Sequence, residues 1–379
     1  MAYKVVDEMN FSVIHPRMVY YSNDSVMPRD ILQRMNWGNV DSPIFFPENS
    51  GEKYYARRIR RCGRDAADER NRTIKIIQHY TELITHPPVG LNVIWPTDMI
   101  ELTADKLNST TIMVANNHQV FESDGDTRIS PNALLFGCTN GTLTGNVGQT
   151  ILSYMEMFRA KNGPKQCNYR NPIVRRLAYS VVYAIYNINR YGYLYYDMDF
   201  NRFYVNRQGF VLLDFSNMIY TNTELMSINS GATFIEEQEN YPLTYAEPAL
   251  FQKKLSMPDY NSQNYSMAAM IFRLLFGIDP YNGVLYDYMD DSTRMTLYNK
   301  CQQYLNDPVF IFSDEDKRNP IGNSSLAELQ EELWNQCPDE IKRMFTRTLE
   351  KDNATRSGAF LKNPTPADWL NIFTYLKWI

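Results

Sequence analysis

Cysteine is scarce and unpatterned in this 379-residue chain: Cys62, Cys138, Cys167, Cys301 and Cys337 are odd in number, widely spaced and include no C-x-x-C pair. That spacing argues against a disulfide framework or a thiol redox motif, and predicts reduced thiols in the cytoplasm. Histidine is rarer still. His15, His79, His86 and His118 show no ligand spacing, so a zinc site has no support. No run of 18 apolar residues occurs, and the amino terminus lacks a charged segment followed by an apolar one. The expectation is a soluble, unexported protein that does not span a membrane. The formal net charge of −5 gives no electrostatic reason to expect nucleic acid. The basic run "ARRIRRCGR" (56–64) reads as a strand with arginines alternately inward and outward, then a solvated turn. No serine sits in a nucleophile motif, so a hydrolase triad is unsupported.

What is present suits a large folded core. The composition is 44% hydrophobic and 21% charged, with 27 tyrosines and 18 methionines. Residues 1–30 are mixed in pattern. From 31 to 62 the pattern is strand-like, with Ile44-Phe45-Phe46 and Tyr54 to Ile59 reading as a hairpin about a Pro-Glu-Asn-Ser-Gly turn. Residues 66–84 have helical spacing, ended by Pro87-Pro88. Strands are expected around 109–121 and 132–138. Beyond Gly137 helices dominate, first over 148–160. Next, 171–190 places Ile173, Leu177, Val181, Ile185 and Ile188 on one face and Pro172 in the first turn. The segment 265–277 is apolar on nearly every side, as a helix in the middle of a domain is. A helix over "PADWLNIFTYLKW" closes the chain. The reading is an α+β protein of two unequal lobes joined near 137–147.

Between two of these helices lies "YLYYDMDFNRFYVNRQGFVLLDFSNMIY" (193–220), an apolar hairpin carrying Asp197, Asp199 and Asp214, with its turn at Asn206 to Gly209. This order resembles the protein-kinase-like fold. In that family a helix leads to a loop whose Asp accepts the substrate hydroxyl proton, an Asn five residues on holds metal, and a hairpin delivers an Asp-Phe-Gly aspartate to Mg²⁺. Asp197 in "YYD" matches the loop Asp, and Asp214 in Asp214-Phe215-Ser216 matches the metal aspartate. "TYAEPAL" (244–250) looks like a scrambled Ala-Pro-Glu motif, and "QNYSMAAMIFRLLFGIDPY" (263–281) is similar to the family's buried central helix. "NPTPADWL" (363–370) is similar to its late Arg-Pro-Thr motif, and "VIWPTDMIEL" (93–102) to a strand of a bacterial branch. The resemblance spans roughly 31–379. It implies a β-rich N-lobe with one long helix over 31–137, a mainly helical C-lobe over 138–379, and an extension over 1–30 packed on the N-lobe.

Several parts that handle nucleotide and metal are altered. The strand motif Val-Ala-x-Lys reads Tyr55-Ala56-Arg57-Arg58, so Arg58 stands at the phosphate-gripping Lys and Ala56 at the nucleotide-facing Ala. A planar guanidinium does not reproduce an ammonium point charge. Five residues after Asp197 comes Arg202, a cation where the metal-binding Asn belongs; Asn201 would substitute only if the loop slips. Gly38 is the one glycine of "MNWGNVDSPIFF", too few for a loop whose N–H groups close on phosphates. Asn264 and Asn363 replace the central-helix Asp and the late Arg. The resemblance therefore implies a pseudokinase or weakly active kinase. It would bind ATP and Mg²⁺ at Asp197, Asp214, Asn201, Arg58, Ala56, Gly38 and Arg202 if at all, and act on a protein partner. An active Ser/Thr-type kinase is the alternative, and an interaction module without nucleotide a second.

Overall fold

The computed structural model describes residues 149–196, 198–205, 211–214, 219–220, 245–255, 258–287, 303–322, 326–355 and 362–378, with Leu83, Thr85, His86, Pro88 and the amino-terminal strands named below. Helices and strands are both present, an α+β chain. It divides into two compact units, Met1–Val147 and Gly148–Ile379. Of the expected elements, the strand at 109–121, the turn at 206–209 and all of the 66–84 helix but Leu83 lie outside the described residues.

The described strands of the first unit pair antiparallel. β1 (Tyr3–Val5) and β3 (Tyr20–Ser22) pair with each other, and β2 (Phe11–Val13) pairs with the end of β6 (Val93–Leu102). The other strands run β4 (Ser42–Phe45), β5 (Tyr54–Arg58), β7 (Asn132–Cys138), then β6. β4 and β5 pair antiparallel, as a hairpin requires, and β5 sets Ala56 opposite Leu135 and Arg58 opposite Ala133. The β6–β7 register shifts between Pro96 and Asp98. Proline has no N–H to give the ladder, and an irregularity there accommodates it. The three strands within residues 1–30 are three residues each, too short to show a period of two.

The second unit starts with β8 (Gln149–Thr150), and Thr150 then caps α1 (Ile151–Asn162) by accepting the Ser153 N–H. In α2 (Pro172–Arg190) the Asn171 side chain accepts the Ile173 N–H, and Pro172 occupies the first turn, where no intrahelical donor is needed. The buried face carries Val174, Leu177, Val181, Ile185 and Ile188, whereas Ile173 is 43% exposed and corrects the sequence expectation. Steps of four residues drift about 40° around a helix of 3.6 residues per turn, so three such steps carry Ile173 off the face set by Ile185.

Strands β9 (Leu194–Tyr195), β10 (Phe203–Val205), β11 (Val211–Asp214) and β12 (Ile219–Tyr220) follow. β10 pairs antiparallel with β11 and with β8, and β9 pairs with β12. A short helix α3 (Pro248–Phe251) precedes α4 (Tyr260–Phe276), the centre of the unit. Asp259 and Ser262 form a reciprocal capping box at its start. At its end Gly277 adopts φ +71°, where an added Cβ would also meet the Cys167 carbonyl at 3.2 Å. From Ser262 to Phe276 every residue of α4 but Arg273 is buried. After it come α5 (Val284–Asp287), α6 (Ala327–Gln336), α7 (Asp339–Leu349), α8 (Lys351–Ala354) and α9 (Pro366–Tyr375), and α2, α6 and α7 pack against α4. Phe272 packs within 4.7–5.4 Å of the rings of Phe276, Phe310 and Phe345, and Phe345 lies 5.0 Å from the fully buried Trp369. Among the described residues, no helix is long and apolar enough to cross a membrane.

Candidate functional site

The acidic hairpin is built on α4. The Tyr195 N–H, in a residue with no exposure, donates to Gln263 Oε1 at 2.8 Å. Gln263 is itself fully buried, and this bond fixes the chain just before Asp197. Tyr196 and Met198, which flank Asp197, are 2% and 0% exposed. Asp197 itself lies outside the described residues, as does Gly38.

A second clasp holds the chain just beyond. Phe200–Arg202 form a single 3-10 turn, and the Arg202 N–H donates to the Asp199 carbonyl at 2.9 Å. The buried Phe200 ring meets Tyr245 edge-on at 5.5 Å, and the Arg273 guanidinium of α4 sits 5.7 Å from its centroid. Arg273 Nη1 also donates to the Tyr245 hydroxyl at 3.0 Å and pairs with Asp279 at 3.2 Å. Burial, reinforced by the Asp279 charge, pushes the Tyr245 phenol well above its ordinary range, so it stays a neutral hydroxyl accepting from Arg273. The segment carrying Asp197 is thus anchored to one buried helix at both of its ends.

The hairpin beyond sets Phe203 opposite Leu213 and Val205 opposite Val211. Continued by one residue, that register brings the backbone of Asp214 across from Arg202. Arg202 is half-buried, and Asn201 lies beside it in the 3-10 turn. Mg²⁺ takes hard oxygen ligands, and the residue at the register position opposite Asp214 is a cationic one. Among the described residues, no three His, Cys, Asp or Glu side chains group to hold a metal. In the first unit Ala56 and Arg58 are alternate residues of β5.

The motifs that differ from the family pattern have structural partners of their own. Asn363, at the place of the late Arg, is buried; its N–H donates to Asn261 Oδ1 at 2.6 Å and its Nδ2 to the Asn261 carbonyl at 2.9 Å. Thr365 and Asp368 then cap α9 reciprocally. In "GIDPY", Asp279 holds Arg273, and Tyr281 bonds Tyr265 at 2.7 Å and the Leu349 carbonyl at 3.0 Å. Glu247 of "TYAEPAL" is fully buried at the start of α3.

Gln263 is the residue that sequence reasoning passed over, since attention went to its neighbour Asn264 as the replaced central-helix Asp. In the sequence Gln263 stands among Asn261, Ser262, Asn264 and Ser266 in the first turns of α4, and only its burial in the fold singles it out as an amide that needs a polar partner. Compared with models of protein families and with curated proteins, the chain matches none.

Proposed function

We propose that the chain is a bilobal, protein-kinase-like pseudokinase: a protein that binds ATP with little or no help from Mg²⁺ and serves as a nucleotide-responsive scaffold or regulator of a protein partner. The observation that carries this reading is the double anchoring of the Asp197 segment on α4, by Gln263 at Tyr195 and by Arg273 and Tyr245 at Phe200. Phosphoryl-transfer machinery depends on positioned carboxylates, and a loop fixed at both ends onto a buried helix supplies that positioning. Arg202, in the place of the metal-binding Asn and across the register from Asp214, favours the non-catalytic form. Its cation neutralises charge where a metal ion otherwise would.

Thermal unfolding of the full chain at millimolar ATP, with and without Mg²⁺, tests this. A ligand at 100 times its dissociation constant adds roughly 2.7 kcal/mol of stability. The expected result is an ATP shift indifferent to Mg²⁺ and unaccompanied by label transfer from ATP. No shift at all leaves the interaction module. A Mg²⁺-dependent shift with label transfer, lost in Asp197→Ala and in Asp214→Ala, replaces the proposal with an active kinase. Arg202→Asn should make the ATP shift respond to Mg²⁺; an unchanged response shows that Arg202 does not stand in the metal's place.

A further inference from the structure

Helix α1 is apolar along much of its length, yet Ile151 is its only buried residue. Leu152 and Met155 instead border a cavity of about 180 Å³. Its floor is the end of α4, with Leu274 and Phe276 each 2% exposed, and its far wall is α6, with Leu329 and the buried Leu333. An apolar cavity of about 150 Å³ holds a benzene ring, so a ring or a short acyl chain fits here. The space is open on one side, and its rim carries charge. Arg159, on the same face of α1 as Leu152 and Met155, is exposed and makes no ion pair with any described residue. Glu156 stands one turn before it, also exposed.

The start of α6 adds to this. Its first turn lines the cavity through Leu326, Leu329 and Gln330, and it begins without a side-chain cap, so the positive end of the helix faces the same space. Gln330 is 5% exposed, and its Oε1 has no hydrogen-bond partner among the described residues; an amide oxygen is an acceptor and offers nothing to an anion. An apolar body whose anionic end lies at Arg159, away from Gln330, matches the arrangement.

We propose that this cavity between α1, the end of α4 and α6 is a binding site for a small apolar carboxylate, its hydrocarbon part against Leu152, Met155 and Leu329 and its carboxylate at Arg159. The site lies wholly within the second unit, and its assignment does not rest on the proposed nucleotide binding. Phe200 also lines it, so a bound ligand touches the ring that anchors the Asp197 segment.

Calorimetry on the full chain with octanoate, and with 1-octanol as its uncharged counterpart, tests the site. Octanoate should bind saturably at one site, and octanol more weakly. Arg159→Gln should weaken octanoate about tenfold, the loss of one charge-assisted hydrogen bond, while leaving octanol unchanged. Glu156→Gln should bind octanoate as well as or better than the native chain. Leu152→Trp, which fills the space from a half-buried position, should abolish both, with an unchanged circular-dichroism spectrum as the folding control. No saturable octanoate binding, or binding that Arg159→Gln leaves intact, overturns the proposal. If Leu152→Trp misfolds, Met155→Phe serves in its place, and octanoate binding undiminished there overturns the proposal equally.

Discussion

Phe272→Ala should destabilise the second unit by about 3–5 kcal/mol, the cost of deleting a fully buried ring and leaving the space it filled. Phe272 has no exposure, and three aromatic rings lie within 4.7–5.4 Å of it. It sits on α4, so the loss falls on the helix that carries both clasps of the hairpin. Denaturant unfolding followed by the fluorescence of Trp334, Trp369 and Trp378 reads this directly, as a fall in midpoint at unchanged slope. Tyr375→Ala, at a side chain 71% exposed, is the control and should move stability by less than about 0.5 kcal/mol. A loss below about 1 kcal/mol for Phe272→Ala, the average for any substitution, would mean that the ring cluster is not the core of this unit.

Gln263→Leu is the second large effect, and its sign has two parts. Removing Oε1 leaves the buried Tyr195 N–H without its acceptor, which costs about 1–3 kcal/mol. Gln263 Nε2 has no partner among the described residues, so replacing that amide with an apolar side chain returns some of the loss. The net expectation is a destabilisation at the lower end of the range, with the Tyr195 amide exchanging markedly faster than those of α4. The exchange measurement separates a specific bond from general loosening. An unaltered Tyr195 exchange rate would show that the amide does not hold the hairpin. Under the proposed function, Gln263→Leu should also weaken the ATP-induced shift, because the bond sets the chain two residues before Asp197.

Local patterns in the chain announced most of the second unit. Asn171-Pro172 ahead of a 3.6-residue apolar period specified α2, and the segment 265–277, apolar on nearly every side, specified a buried α4. Apolar stretches on either side of the Asn206 to Gly209 sequence specified β10 and β11. Each of these depends on neighbours within a few residues, which a linear reading sees. It misjudged Ile173, because face drift accumulates over several turns. It could not rank the polar residues of α4 either. Asn264 and Gln263 are adjacent, and which one meets Tyr195 depends on how helix and hairpin are rotated against each other. The clasp of Phe200 by Arg273 and Tyr245 joins residues 73 and 45 positions away from the loop, and no spacing rule connects them.

The order of the described helices and strands of the second unit, Pro172 in the first turn of α2, and acidic residues within an apolar hairpin sequence follow from the sequence alone, since propensity and periodicity act over one or two helical turns. Tertiary packing decided which buried amide fixes the hairpin, which arginine closes over its loop, and that the apolar face of α1 borders a cavity rather than a neighbouring side chain. Those outcomes depend on the separation and rotation of helices far apart in the chain, quantities that local chemistry leaves free until the core closes.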